Sequence, residues 1–208
     1  MDRFPDRPRD TLDGGERDVF DRIAARRGKV PAPFVPLLKS PEVADLFEQF
    51  SARLWSSLPA DLLEAVFLIV ARRCRCAYQW HTHVPKALAA GLSAGDIARL
   101  SRGEALEDGL RGDVTRFVRA LHTDATVPEA LYDAVVRQLS ERGTVELVAF
   151  SSRATVCASP RCRPAHPFRS ESVSPAATPP RGSPSAGSGS WWCGTRTSRR
   201  RSAPGRCG

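Results

Sequence analysis

Residues 62–71 read LLEAVFLIVA, a run that is apolar on nearly every side and holds one carboxylate, Glu64. A helix with no polar face belongs at the centre of a fold, with other elements packed around it. Those elements must also satisfy Glu64, because an ionised carboxylate taken out of water is costly unless it is hydrogen-bonded. Cys76 follows Glu64 by twelve residues, and Gln79 and His83 lie three and seven residues beyond Cys76. On a helix those offsets share one face. The spacing therefore predicts a second helix that turns Cys76, Gln79 and His83 together toward whatever packs against it.

The rest of the first 150 residues reads as helices as well. Asp13 to Arg27 carries Val19, Phe20, Ile23 and Ala24 on one side. Lys29 to Pro36, with three prolines, is an extended connector. Ser40-Pro41 reads as an N-cap with proline at the first helical position. The helix after it points Val43, Leu46, Phe47, Phe50 and Leu54 inward. Pro59 opens the helix of Glu64, and Gly91 ends the helix of His83 as a natural left-handed stop. Ser93 caps a short helix to Leu100. Asp113 to Leu121 is amphipathic through Val114, Phe117, Val118 and Leu121. A helix opened by Val127-Pro128 runs to Gly143, and a last one starts at Thr144. No segment of this core alternates with period two, so the fold class is all-α.

The net charge of +8 resembles a polyanion binder's, but its distribution argues otherwise. Residues 1–150 hold 21 Lys/Arg against 22 Asp/Glu, whereas residues 151–208 hold 10 against 1. The basic excess belongs to the tail, so the folded part is not read as binding nucleic acid. The N-terminus lacks the apolar core of a signal peptide, and no run is long enough to span a bilayer. A cytoplasmic location and no membrane association are expected, and with no secretory context no disulfide framework. Residues 1–11 read as flexible, 12–150 as the helical domain, and 151–208 as a disordered Arg/Ser/Pro-rich tail. That tail holds 8 of the 17 prolines. The composition breaks inside an apolar helix. From about Val148 the chain reads as an out-of-frame product, with the closing helix stopping after about two turns.

The pattern of Glu64, Cys76, Gln79 and His83, then Ala87 and Gly91-Leu92-Ser93, resembles the carboxymuconolactone decarboxylase family, which includes the alkylhydroperoxidase D-like proteins. The peroxidase branch of that family has a Glu, then Cys-x-x-Cys, then His four residues after the second Cys. Gln79 stands where the second Cys would be, so ARRCRCAYQWHTHVPKALAAGLS is more similar to the branch lacking the pair. The resemblance implies an alkylhydroperoxidase D-like bundle that assembles into trimers or hexamers and takes a small-molecule substrate with no metal or organic cofactor. It further implies a lyase or proton-transfer site on a small carboxylated or lactone substrate, with His83 as acid/base and Glu64 and Gln79 orienting or polarising. Cys76 is the reactive thiol of the alternative, a thiol peroxidase. The third reading is an inactive assembly subunit or damaged gene product.

The remaining candidates read as ordinary structure. His81 lies off the shared face and faces solvent. Cys74 is a small packing residue. Arg72, Arg73 and Arg75 make a solvated face, and Tyr78 and Trp80 are packing or subunit-contact residues. The Cys157, Cys162 and His166 spacing only crudely resembles that of metal ligands and has no fourth partner.

Overall fold

The α-helices among the described residues are α1 (Gly14–Arg27), α2 (Pro41–Leu54), α3 (Ala60–Arg73), α4 (Ala77–Ala89), α5 (Ala94–Ser101), α6 (Leu110–Asp124) and α7 (Glu129–Ala158). The computed structural model describes residues 7–107 and 109–158, which contain no β-strand. All of them lie within one unit, Met1–Val173. The all-α expectation holds. As its composition demands, α3 is the central helix, buried continuously from Leu62 to Ala71. It packs against α4, α5, α6 and α7. A second apolar cluster of Leu12, Val19, Ile23, Phe34, Leu38 and Ala44 joins α1 to α2 and the 3-10 turns between them.

Local chemistry sets the helix ends. Asp13 accepts from the Glu16 backbone N–H while the Glu16 side chain returns to the Asp13 N–H, a capping box. Ser93 and Asp96 repeat the arrangement at α5. Ser40 does not cap α2 with its side chain, so Pro41 alone supplies the start signal expected there. Helices α3 and α4 end alike. In each, the N–H two residues past the C-cap reaches back five residues, Cys76 to the Ala71 carbonyl at 2.8 Å and Leu92 to the Ala87 carbonyl at 3.0 Å. The left-handed residue is Gly91 (φ 102°) in the second case and Arg75 (φ 52°) in the first.

Two helices differ from expectation. Val43, Leu46 and Phe50 are exposed, and α2 instead buries Ala44, Glu48, Ser51 and Leu54. The helix carries two stripes at helical spacing. Arg27 Nε donates to Glu48 Oε1 at 2.7 Å and draws the polar stripe inward, and Ala44 adds a small contact surface there. The last helix differs too. Its break lies at Ser140 (φ 68°, ψ 168°) and not at Gly143. The Ser140 side chain accepts from the Gly143 N–H at 3.4 Å, and its carbonyl accepts from Thr144 Oγ1 at 2.9 Å. Beyond Ser140 the helix does not stop after two turns but continues to Ala158. Thr144, Leu147, Phe150, Ser151, Ala154, Cys157 and Ala158 make one buried stripe across the compositional break at Val148. The tail expectation for residues 159–208 lies outside the described residues.

Gly91 has a backbone that side-chain-bearing residues rarely adopt. Gly91→Ala is expected to cost about 1 kcal/mol of stability, the usual left-handed penalty. Arg75→Gly should be neutral or stabilising, because the same turn there already carries a side chain. Urea denaturation of both variants checks this, and equal losses in both would contradict the shared-turn account.

Candidate active site

The turn after α3 folds α4 back along it and makes Cys76 the N-cap residue of α4. The face predicted from spacing is buried. Cys76 is 1% exposed, Gln79 2% and His83 5%, while His81 is exposed. His83 meets Glu64 of α3 across the helix pair, with Nδ1 to Oε2 at 2.6 Å. An ionised carboxylate only accepts hydrogen bonds, so Nδ1 carries the proton and Nε2 keeps its lone pair. Phe67, one turn after Glu64, stacks on the imidazole with ring centroids 3.9 Å apart and planes 5° apart. Trp55 lies parallel to both rings, and Phe150 of α7 meets Trp55 and Phe67 edge-on.

Burial is the larger influence on His83 and lowers its pKa from the ordinary 6.5, while the hydrogen bond and charge of Glu64 oppose it. Lys86 and Arg153 add to the lowering. The resting pair is a carboxylate and a neutral imidazole. That arrangement leaves one nitrogen unprotonated and orients it through the other, which suits proton transfer.

Gln79 meets neither His83 nor Glu64 through a hydrogen bond in this structure. Its Nε2 donates to the Cys157 carbonyl of α7 at 3.1 Å, tying α4 to α7. The tie brings in residues missed by sequence reasoning, which assigned everything beyond 150 to the tail. Cys157 is buried, and burial pushes its thiol up against the opposing influence of Arg153 and Arg27. Arg153 sits one turn before Cys157, only 4% exposed, with its guanidinium carbon 5.0 Å from the Phe67 ring centroid. The signal that could have found both is the i, i+3, i+4 apolar spacing from Leu147 to Ala158. Among the described residues, no group of three or more His, Cys, Asp or Glu is arranged to hold a metal ion. Cys162 and His166 of the crude metal spacing lie outside the described residues. No helix among the described residues is long and apolar enough to cross a membrane.

Residues 41–111 match the family model of the carboxymuconolactone decarboxylase family. The match spans α2 to α5 and the start of α6, and so includes Glu64, Cys76, Gln79 and His83. No curated protein matches the chain, and no solved structure does.

The lowered pKa of His83 has a consequence for stability. Between the folded value and 6.5 the unfolded chain binds a proton that the folded chain excludes. Stability contributed by the neutral ring is therefore present above 6.5 and declines as pH falls through that window. His83→Gln should flatten this part of the profile, read from urea midpoints between about pH 5 and about pH 7. An unchanged acid slope in the variant would show that other groups cause it.

Proposed function

We propose, for a chain whose residues 41–111 belong to the carboxymuconolactone decarboxylase family, a cofactor-independent lyase or proton-transfer enzyme acting on a small carboxylated or lactone substrate. The observation that carries this reading is the buried His83–Glu64 pair at 2.6 Å, with Nε2 left as the free base. Glu64 fixes the tautomer and aim of the ring and stabilises the imidazolium that forms when Nε2 accepts a proton. His83 then returns that proton to the product. Phe67 and Trp55 hold the ring plane, so little reorganisation is needed between the two transfers. Gln79 acts here as a positioning residue through its tie to α7. The exposed stripe of Val43, Leu46 and Phe50 on α2 is the kind of surface that a homo-oligomer would cover, in keeping with the trimer or hexamer expected from the resemblance.

His83→Ala should lower turnover by about 10²- to 10⁴-fold, the usual worth of a positioned acid/base. Glu64→Gln should lower it less, and His81→Ala should leave it unchanged. The assay is a panel of small lactone carboxylates and keto acids, followed by substrate loss. In the active enzyme the acid limb of kcat/KM should fall below the ordinary histidine range, because burial lowers the pKa of His83. Equal losses in the His81 and His83 variants would refute the assignment.

A second reading, a thiol peroxidase using Cys76, is favoured by one observation: the hydrogen bond from Gln79 draws a second buried cysteine, Cys157, against α4. Exchange requires a thiolate, and burial works against one at Cys157. Peroxide turnover with a dithiol reductant should therefore be weak, and Gln79→Cys should raise it by creating a Cys-x-x-Cys pair. A folded Gln79→Cys protein with no gain would remove the thiol reading.

A further inference from the structure

Arg153 is a buried cation with no carboxylate among the described residues in ion-pair range. Its Nε and Nη1 nitrogens have no hydrogen-bond partner among the described residues. Other buried or nearly buried charges of the bundle are paired: Glu48 with Arg26 and Arg27, Glu16 with Arg7 and Lys39, and Glu64 with His83. Arg153 instead lies over three aromatic rings, its guanidinium carbon 5.2 Å from the Trp55 centroid, 5.0 Å from Phe67 and 5.6 Å from Phe150. Cation–π contact offsets only part of the cost of removing a guanidinium from water. One turn before Trp55 on α2, the Ser51 hydroxyl is also buried without a hydrogen-bond partner among the described residues.

The aromatic group under Arg153 is the one that holds His83. Phe67 carries the imidazole stacked on it and the guanidinium over it. We propose that Arg153 is the receptor for a small planar carboxylate, which pairs with the guanidinium against Trp55, Phe67 and Phe150 and so comes to lie beside His83. The chemistry of the site selects this class. A guanidinium offers N–H donors in a plane, matched by a carboxylate's two oxygens. The ring faces favour a flat conjugated body over a branched one. Treating that carboxylate as the substrate rests on the acid/base reading of His83, whereas its binding does not.

The test is calorimetric titration of the full chain with benzoate as the probe, with benzamide and inorganic phosphate as controls. Wild-type protein should bind benzoate saturably, bind phosphate more weakly and not bind benzamide. Arg153→Met should weaken benzoate at least tenfold, and Arg153→Lys should recover part of the loss. Folding is checked by melting. Without ligand, Arg153→Met should melt no lower than wild type, because an unpaired buried charge is gone. Benzoate should raise the melting temperature of wild type and of His83→Ala but not that of Arg153→Met. His83→Ala should still bind benzoate. Equal benzoate binding by wild type and Arg153→Met, or no binding by wild type, overturns the proposal. Tighter binding of phosphate than of benzoate overturns the planar-carboxylate assignment. If His83→Ala keeps full turnover while Arg153→Met loses binding, the acid/base reading fails and the receptor stands. If His83→Ala abolishes turnover while Arg153→Met binds normally, the receptor fails and the acid/base reading stands.

Discussion

The hydrogen bond between Glu64 and His83 is the constraint around which this bundle is arranged. A carboxylate in the middle of the most apolar helix would cost several kcal/mol if left alone. The fold supplies a donor from the next helix in the chain, and the tight turn through Arg75 and Cys76 sets its register. One consequence is electrostatic. Burial favours the neutral imidazole, and the carboxylate accepts a hydrogen bond from its Nδ1–H, so the basic nitrogen is chosen by the packing. The same contact satisfies the buried carboxylate of α3 and fixes the orientation of the imidazole.

The surrounding packing makes that contact rigid. Phe67 lies on one turn of α3 with Glu64 and stacks on the ring that Glu64 orients. Trp55 comes from the end of α2, and Phe150 closes the aromatic group from α7. The N-terminal pair of helices is joined to the rest through α2, whose buried Glu48 is held by Arg27 of α1. The buried charges of α2, α3 and α7 are each handled differently. Glu48 is neutralised by arginines, Glu64 is hydrogen-bonded by a neutral histidine, and Arg153 rests on ring faces.

Backbone strain sits beside the same region. Arg75 adopts a left-handed conformation in the turn that delivers Cys76, and Ser140 breaks α7 before its second segment approaches the site. Non-glycine residues hold such conformations at a cost of about 1–3 kcal/mol, and they persist where surrounding structure over-determines them. Here the bonds from Cys76 to Ala71, from Gly143 to Ser140 Oγ and from Thr144 to the Ser140 carbonyl do so. These two turns allow α4 and the second half of α7 to lie against α3.

Much of this was legible in the chain. The apolar run with one acid required a central helix, and the offsets from Cys76 to His83 put three side chains on one face, because helical periodicity is a local property. Ser93 and Gly91 marked their helix ends through backbone chemistry within a few residues. What lay beyond reach depended on partners distant in sequence. On α2, two apolar-compatible stripes compete, and only Arg27 drawing Glu48 inward decided that Val43, Leu46 and Phe50 face out. Gln79 carried no sign that its amide would bond a carbonyl 78 residues away. Residues 151–158 read as tail because composition is informative only over a long window, and that window is dominated by the Arg, Ser and Pro of residues 159–208. Ser151, Ala154, Cys157 and Ala158 are nonetheless spaced to continue the buried stripe of α7. By itself the sequence determined the helices and the shared face of Cys76, Gln79 and His83. The tertiary structure alone brought Arg153 and Cys157 to that face, since burial and pairing are properties of neighbours that the chain acquires only when folded.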